Sequence, residues 1–438
     1  NPWDHFNKEG TDAIRWYMTS QSAPWNPMNF DPNGVRETYA KMFLTLWNVH
    51  KFHLDYAILD KFDYGKDFIS VEKRTALDRW ILSRLSSVAE IYHNQYVSWE
   101  FHKAARELEN FVINDLSNWY VRRSRRRLWD EAESHDKLAC QSTLHEVLTT
   151  VSKLMAPIAP FMPDKIHFDL TGSSVHTADW PLGSDLVPKN LPPQDLSLEK
   201  KMSIVRTLAE TGRKIRVAVK RRQRLPCKEG WIVGGPKLDE FHSIIAEELN
   251  VETLTTEKNL DRFQKIEVLP NHKVLGAKCR ADLPKVLAEL SKSDPDSLLS
   301  DIENGVANLA GFEITLDDIN IKRVEKEGYA ASTFEVEDVG DISLVLDVEI
   351  TETLVSKGLA REITRRIQSK RKDLDLDLEA SISLKVCLES DSPKLNDEDW
   401  EYIKSETRSE PAELIIGDVN KGFDSFQVEE NTIYFKVN

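Results

Sequence analysis

The chain has 438 residues, with 73 acidic side chains against 58 basic ones and a formal net charge of −15. Most of its surface therefore repels polyanions, and a nucleic acid could dock only where basic residues are concentrated. No apolar run approaches the ~18 residues needed to span a bilayer and no succession of charged, apolar and small residues marks a signal peptide, so a membrane role is excluded and a soluble protein of roughly two to four domains is expected.

The opening segment, residues 1–34, is rich in tryptophan, proline and asparagine and reads as packed irregular structure joining two bodies. Asn1 is not an initiator, which suggests a piece of a longer chain. Apolar residues then return at helical spacing from Val35 to about His53 and again from Leu77 to about Tyr96. A third helix is expected from about Phe101, with Ala104, Ala105, Leu108, Phe111 and Val112 inward, running on into residues 118–129. A fourth carries Leu144, Val147, Leu148, Val151, Leu154 and Met155 and meets Pro157, Pro160 and Pro163, which do not fit a helix interior. Four such helices with short links make an antiparallel bundle over 35–190, closed by a Gly- and Pro-rich linker from Thr171 to Pro193.

After Leu196 shorter helices alternate with strands, and an internal repeat is expected. The first copy has a helix from about Met202 to Val219, a basic run of Lys220, Arg221, Arg222 and Arg224, a strand around Trp231 and a helix near Phe241 to Leu249. The second has a helix from about Leu354 to Gln368, then Lys370, Arg371 and Lys372, alternating Ile382, Leu384 and Val386, and an amphipathic stretch at Trp400, Tyr402 and Ile403. Closing strands are expected near Phe263 to Leu269 and near Thr432 to Val437. The fold class is thus mainly α: an antiparallel helical bundle followed by α+β units at 195–270 and 351–438 around an α+β segment at 271–350.

Residues 118–129 read NWYVRRSRRRLW, five arginines within six positions. The guanidinium fork is bidentate toward phosphate, and both it and flat rings stack on unpaired bases. On a 3.6-residue wheel Val121, Ser124 and Leu128 point inward, while Trp119, Arg122, Arg126 and Trp129 point outward. The alternative is a solvated charged face neutralised by Asp115, Asp130, Glu131 and Glu133. A second basic helix carries Arg361, Arg365, Arg366, Lys370 and Arg371, with Glu362 as its interior acid and Leu359, Ile363 and Ile367 on its apolar side.

Catalytic constellations are weak. There is no GxGxxG, GxxxxGK, GxSxG or HExxH. His50 and His53 lack partners at metal-ligand spacing and read as ordinary face residues, and Asp373, Asp375 and Asp377 as an exposed turn. Cys140, Cys227, Cys279 and Cys387 form no CxxC and read as free thiols of a reducing cytosol.

Several segments together resemble a known family. Pro2-Trp3-Asp4, Gly10 and Asp12 to Tyr17 look like the segment following the KMSKS loop of large class I aminoacyl-tRNA synthetases. Asp115 to Arg123, Trp129, and Leu154 to Phe161 resemble the anticodon-binding bundle of that group. Glu248 to Val251, His272 to Gly276, and Gly358 to Gln368 are similar to the isoleucyl members of eukaryotic and archaeal type. The HIGH and KMSKS elements, the editing insertion and the C-terminal zinc knuckle are missing, and Lys201-Met202-Ser203-Ile204 is a chance likeness in an expected helix.

The resemblance implies a C-terminal, non-catalytic portion of a cytoplasmic ligase that recognises isoleucine tRNA, with no cofactor or metal of its own. ATP and Mg would serve the catalytic domain of the same chain. The tRNA-binding residues implied are Trp119, Tyr120, Arg122, Arg123, Arg125, Arg126, Arg127, Trp129, Arg361, Arg365, Arg366, Lys370 and Arg371, the arginines on the backbone and the rings on splayed bases. The competing reading keeps RNA on the bundle alone and makes the acidic C-terminal units an interaction scaffold.

Overall fold

The computed structural model describes all residues except 1, 130–133, 183–191, 306, 377–379, 391, 418–421, 429–430 and 438, and only the backbone of Pro2 and Asp4. It divides into two compact units, Asn1–Ser203 and Ile204–Asn438. No helix of the described residues is long and apolar enough to cross a membrane.

In the first unit, the opening segment forms helix α1 (Thr11–Ser20), which buries Trp16 and turns Asp12 toward a distant helix start. The Asp12 carboxylate accepts from the backbone N–H groups of Phe161 and Met162 at 3.0 and 2.7 Å. It thereby satisfies donors that the first turn of a helix leaves open. The expected 35–53 helix is α2 (Pro32–Thr38), a π-helical turn at Tyr39–Phe43, and α3 (Leu44–Leu59). Next comes α4 (Ala76–Val97), started by a capping box in which the Thr75 hydroxyl and the Asp78 carboxylate each accept the other's backbone N–H.

The third helix is α5 (Phe101–Asn110), a π-helical stretch at Phe111–Val121, and α6 (Arg122–Trp129), which holds the arginines. Then follow α7 (His135–Met155) and α8 (Phe161–Thr171), the latter stopped by Gly172 at φ 73°. The inward residues read from the sequence, among them Leu108, Phe111, Val147, Leu148 and Val151, are buried. The Lys201-Met202-Ser203-Ile204 run lies inside α9 (Leu196–Ala218), not in a loop.

The second unit contains the repeat. Its first copy has β1 (Cys227–Val233), α10 (His242–Leu249) and β2 (Val251–Glu257). A segment follows with β3 (Gln264–Pro270), α11 (His272–Cys279), α12 (Leu283–Leu290), α13 (Pro295–Glu303), the short pair β4 (Asn308–Leu309) and β5 (Phe312–Glu313), and β6 (Ile319–Glu325). The hairpin β7 (Tyr329–Val336) and β8 (Gly340–Asp347) then completes the first sheet, in the order β2-β1-β8-β7. The second copy has α14 (Glu352–Asp373), β9 (Ile382–Leu388), α15 (Asp397–Thr407), β10 (Ser409–Ile416), β11 (Asp424–Val428) and β12 (Asn431–Val437), in the order β10-β9-β12-β11.

The two sheets share one plan. In each a βαβ unit makes a parallel pair, β1 with β2 and β9 with β10, and an antiparallel hairpin adds to the first strand of that pair. The expected closing strand of the first copy, Phe263 to Leu269, is not in its sheet. β3 pairs antiparallel with β6 instead. The intervening segment is thus an insertion between β2 and β7, with its own core of Leu275, Val286, Leu290 and Ile302.

Candidate nucleic-acid interface

The arginines of α6 divide according to what the adjoining helices supply. Asp78, wholly buried near the start of α4, accepts from Arg127 Nη1 and Nη2 at 2.8 and 2.7 Å and from the Tyr120 hydroxyl at 2.5 Å. Arg127 Nε also donates to Asp136 at 2.9 Å. Burial by itself would raise the Asp78 carboxyl, but the Arg127 guanidinium, with the Tyr120 and Thr75 hydroxyls, holds it below its ordinary value. Burial and the Asp78 charge push the Tyr120 phenol well up, so it stays a protonated donor.

Three expectations are corrected by this geometry. Trp119 is buried, not outward: its Nε1 donates to Met202 Sδ at 3.2 Å, and the Arg122 guanidinium covers its ring at 5.6 Å. Tyr120 is fully buried on Asp78, and Arg127 faces inward as the clamp of α6 onto α4 and α7. The cause is the π-helical stretch ending at Val121, which has more residues per turn than the 3.6-residue wheel and buries 119, 120 and 121 in succession.

What remains outward is Arg122, Arg125 and Arg126, with Arg123 half-buried and Trp129 47% exposed at the helix end. Asp115 is held by Arg84 Nε at 3.0 Å. Asp130, Glu131 and Glu133, the other acids weighed against the arginines, lie outside the described residues.

In the second unit two basic runs meet. Glu362, 8% exposed on α14, accepts from Arg365 and Arg366 at 3.1 Å each and is also bonded to Arg224 from the first copy's basic run. Arg361 donates to the Asn250 side chain. Three guanidinium groups on one carboxylate leave positive charge in excess at a half-exposed surface. Lys370 pairs with Asp424 at 3.0 Å. Arg371 is buried, against the expectation of a solvent-facing charge, because its Nη1 holds the Thr407 carbonyl at 3.0 Å where α15 ends.

Other sequence readings are placed as follows. His50 and His53 are buried between helices, and His50 Nε2 lies 3.1 Å from Asp169. All four cysteines are buried, and no disulfide joins them. Asp375 stands in a turn at φ 51°, and Asp377 is outside the described residues. Among the described residues no group of three His, Cys, Asp or Glu could hold a metal ion. The sequence reading missed Asp78 as the hub of the clamp and Arg224 as a partner of α14. The Thr75 and Asp78 capping-box pattern was the available signal for the first.

Residues 78–230 match the family described as the anticodon-binding domain of tRNA ligase. That match covers about a third of the chain; it starts at the clamp residue Asp78 and includes all of α6. Beyond it, the chain is 34% identical over 399 residues to the isoleucine–tRNA ligase of Clostridium acetobutylicum, covering 88% of this chain and 37% of that protein. The Clostridium tetani protein of the same name is 34% identical over 428 residues, covering 94% and 40%. That of Cytophaga hutchinsonii is 32% identical over 458 aligned positions, covering 100% and 40%. The chain thus spans about two fifths of the length of these relatives.

Proposed function

We propose that this chain recognises the anticodon arm of isoleucine tRNA as the C-terminal, non-catalytic part of a cytoplasmic isoleucine–tRNA ligase of the eukaryotic and archaeal-like type. The whole enzyme would join isoleucine to its tRNA with ATP and Mg on the part of the relatives that lies outside the match. The contribution of this region is geometric: fixing the tRNA so that its 3′ end reaches the catalytic domain of the same chain.

The carrying observation is that Arg122, Arg125 and Arg126 project from a helix anchored by Arg127 inside a matched anticodon-binding domain. Anchored arginines present their neighbours to phosphate with little loss of freedom on binding. Trp129 is the ring of this segment exposed enough to stack on a base.

The test is a salt titration with isoleucine tRNA. Replacing Arg122 and Arg126 by alanine is expected to lower the slope of log affinity against log salt by about 0.7 to 0.9 per lost contact. An unchanged slope refutes the assignment.

A further inference from the structure

Two arginines of the second unit are buried without meeting a carboxylate. Arg216, near the end of α9, is 1% exposed, and its Nη1 and Nη2 donate to the carbonyl oxygens of Arg222, Leu225, Leu249 and Asn250 at 2.7 to 3.2 Å. Arg221 is 7% exposed and donates to those of Val348, Glu349 and Pro226 at 2.5 to 3.1 Å. The Nε of each has no hydrogen-bond partner among the described residues. Carbonyl oxygens satisfy donors but carry no net charge, so both positive charges stay uncompensated where water solvates them poorly. Burial, and then the charges of Arg221 and Arg361, lower the Arg216 guanidinium from its ordinary value.

The same basic run carries Arg224, which meets Arg365 and Arg366 of α14 at Glu362. Each gives that carboxylate one nitrogen: Nη1 of Arg224, Nη2 of Arg365 and Nε of Arg366. Their side chains are 40 to 49% exposed, and among the described residues no other acceptor takes their remaining N–H groups. Burial, and then Arg365 and Arg366, lower the Arg224 guanidinium too, as crowded like charges do. Convergence separates this group from the arginines of α6, which follow one another along a helix. An RNA strand spaces single charges along its backbone, whereas three guanidinium forks at one point suit several negative charges on one compact group.

We infer that Arg224, Arg365 and Arg366 form a seat for a compact polyphosphate, inorganic or the tail of a nucleotide, with Glu362 as the resident competitor and the fixed charges of Arg216 and Arg221 in support. This site goes beyond the RNA reading of α6 and does not depend on it.

The test is calorimetric titration of the full chain with inorganic triphosphate and with ATP, without divalent cations and at constant ionic strength, with sulfate as the control. Saturable triphosphate binding is expected, at least about tenfold tighter than sulfate. Arg224→Gln with Arg365→Gln is expected to weaken it by at least about tenfold. Lys322→Gln with Arg323→Gln, two exposed cations of β6, changes the net charge equally and is expected to leave it intact. Glu362→Gln removes the competitor and is expected to tighten binding about tenfold. In the wild type, where no substitution can disturb folding, triphosphate is expected to move the Nε NMR signals of Arg224, Arg365 and Arg366. ATP that binds as tightly as triphosphate places recognition on the phosphates, and tighter ATP binding adds the nucleoside; both keep the seat. No saturable triphosphate binding, equal losses in the two double variants, or unmoved signals of the three arginines overturn it. So does isoleucine tRNA affinity that falls in Arg224→Gln with Arg365→Gln while triphosphate does not bind, since that assigns the arginines to an RNA backbone.

Discussion

Arginines adjacent in sequence have opposite roles in α6. Arg127 is held by Asp78 and Asp136 and is a structural side chain, whereas Arg125 and Arg126 are exposed on the same turn. Arg127→Ala would leave a wholly buried carboxylate uncompensated, and a loss of about 3 to 5 kcal/mol is expected in urea unfolding. Arg125→Ala should stay within about 0.5 kcal/mol of wild type. If the two variants unfold alike, the clamp is not what holds α6. The sequence announced the five arginines and their chemistry, but it held no information on which one meets Asp78, 49 positions away.

At the scale of elements, facing helices create properties that neither has alone. α3 supplies His50 and His53 and α7 supplies His145, and their packing buries the first two and half-buries the third. His53 is lowered to about 3 by burial and by His145, and His145 to about 4 by burial and by His167, from an ordinary 6.5. A lowered histidine is neutral in the native state while the unfolded chain takes up a proton. The native state is therefore unpenalised above pH 6.5 and loses stability as pH falls from 6.5 toward 4, by about 1.4 kcal/mol per pH unit for each group. Urea unfolding at pH 7 and pH 5 should show this loss, and a His53→Gln, His145→Gln protein should show a shallower one; identical losses would refute the origin. The repeat carries a parallel lesson. Arg216 of α9 holds the Leu249 and Asn250 carbonyls at 2.8 and 3.0 Å, as Arg371 of α14 holds Thr407, so the last arginine of each basic helix caps the short helix of its own copy. Helical spacing and strand alternation made both copies legible. The insertion between β2 and β7 was not legible, because the pairing that spans it, of β1 with β8 and Gly230 opposite Leu346, leaves no local pattern.

For the whole molecule, a net charge of −15 makes binding of any polyanion depend on where the basic residues gather. One concentration is α6, and another is Arg224, Arg365 and Arg366 around Glu362. If the second unit also contacts tRNA, Arg365→Ala with Arg366→Ala should lower isoleucine tRNA affinity and its salt slope. Unchanged affinity and slope would leave the C-terminal units as a scaffold. The sequence by itself determined the helical bundle, the duplicated α+β plan, the basic segments and the likeness to synthetases, since periodicity, composition and motif are properties of neighbours along the chain. Tertiary structure alone decided that Trp119, Tyr120, Arg127 and Arg371 turn inward. Burial and ion pairing are set by residues that meet only when distant segments pack, and a π-helical stretch rotated side chains that a regular helix would have faced to water.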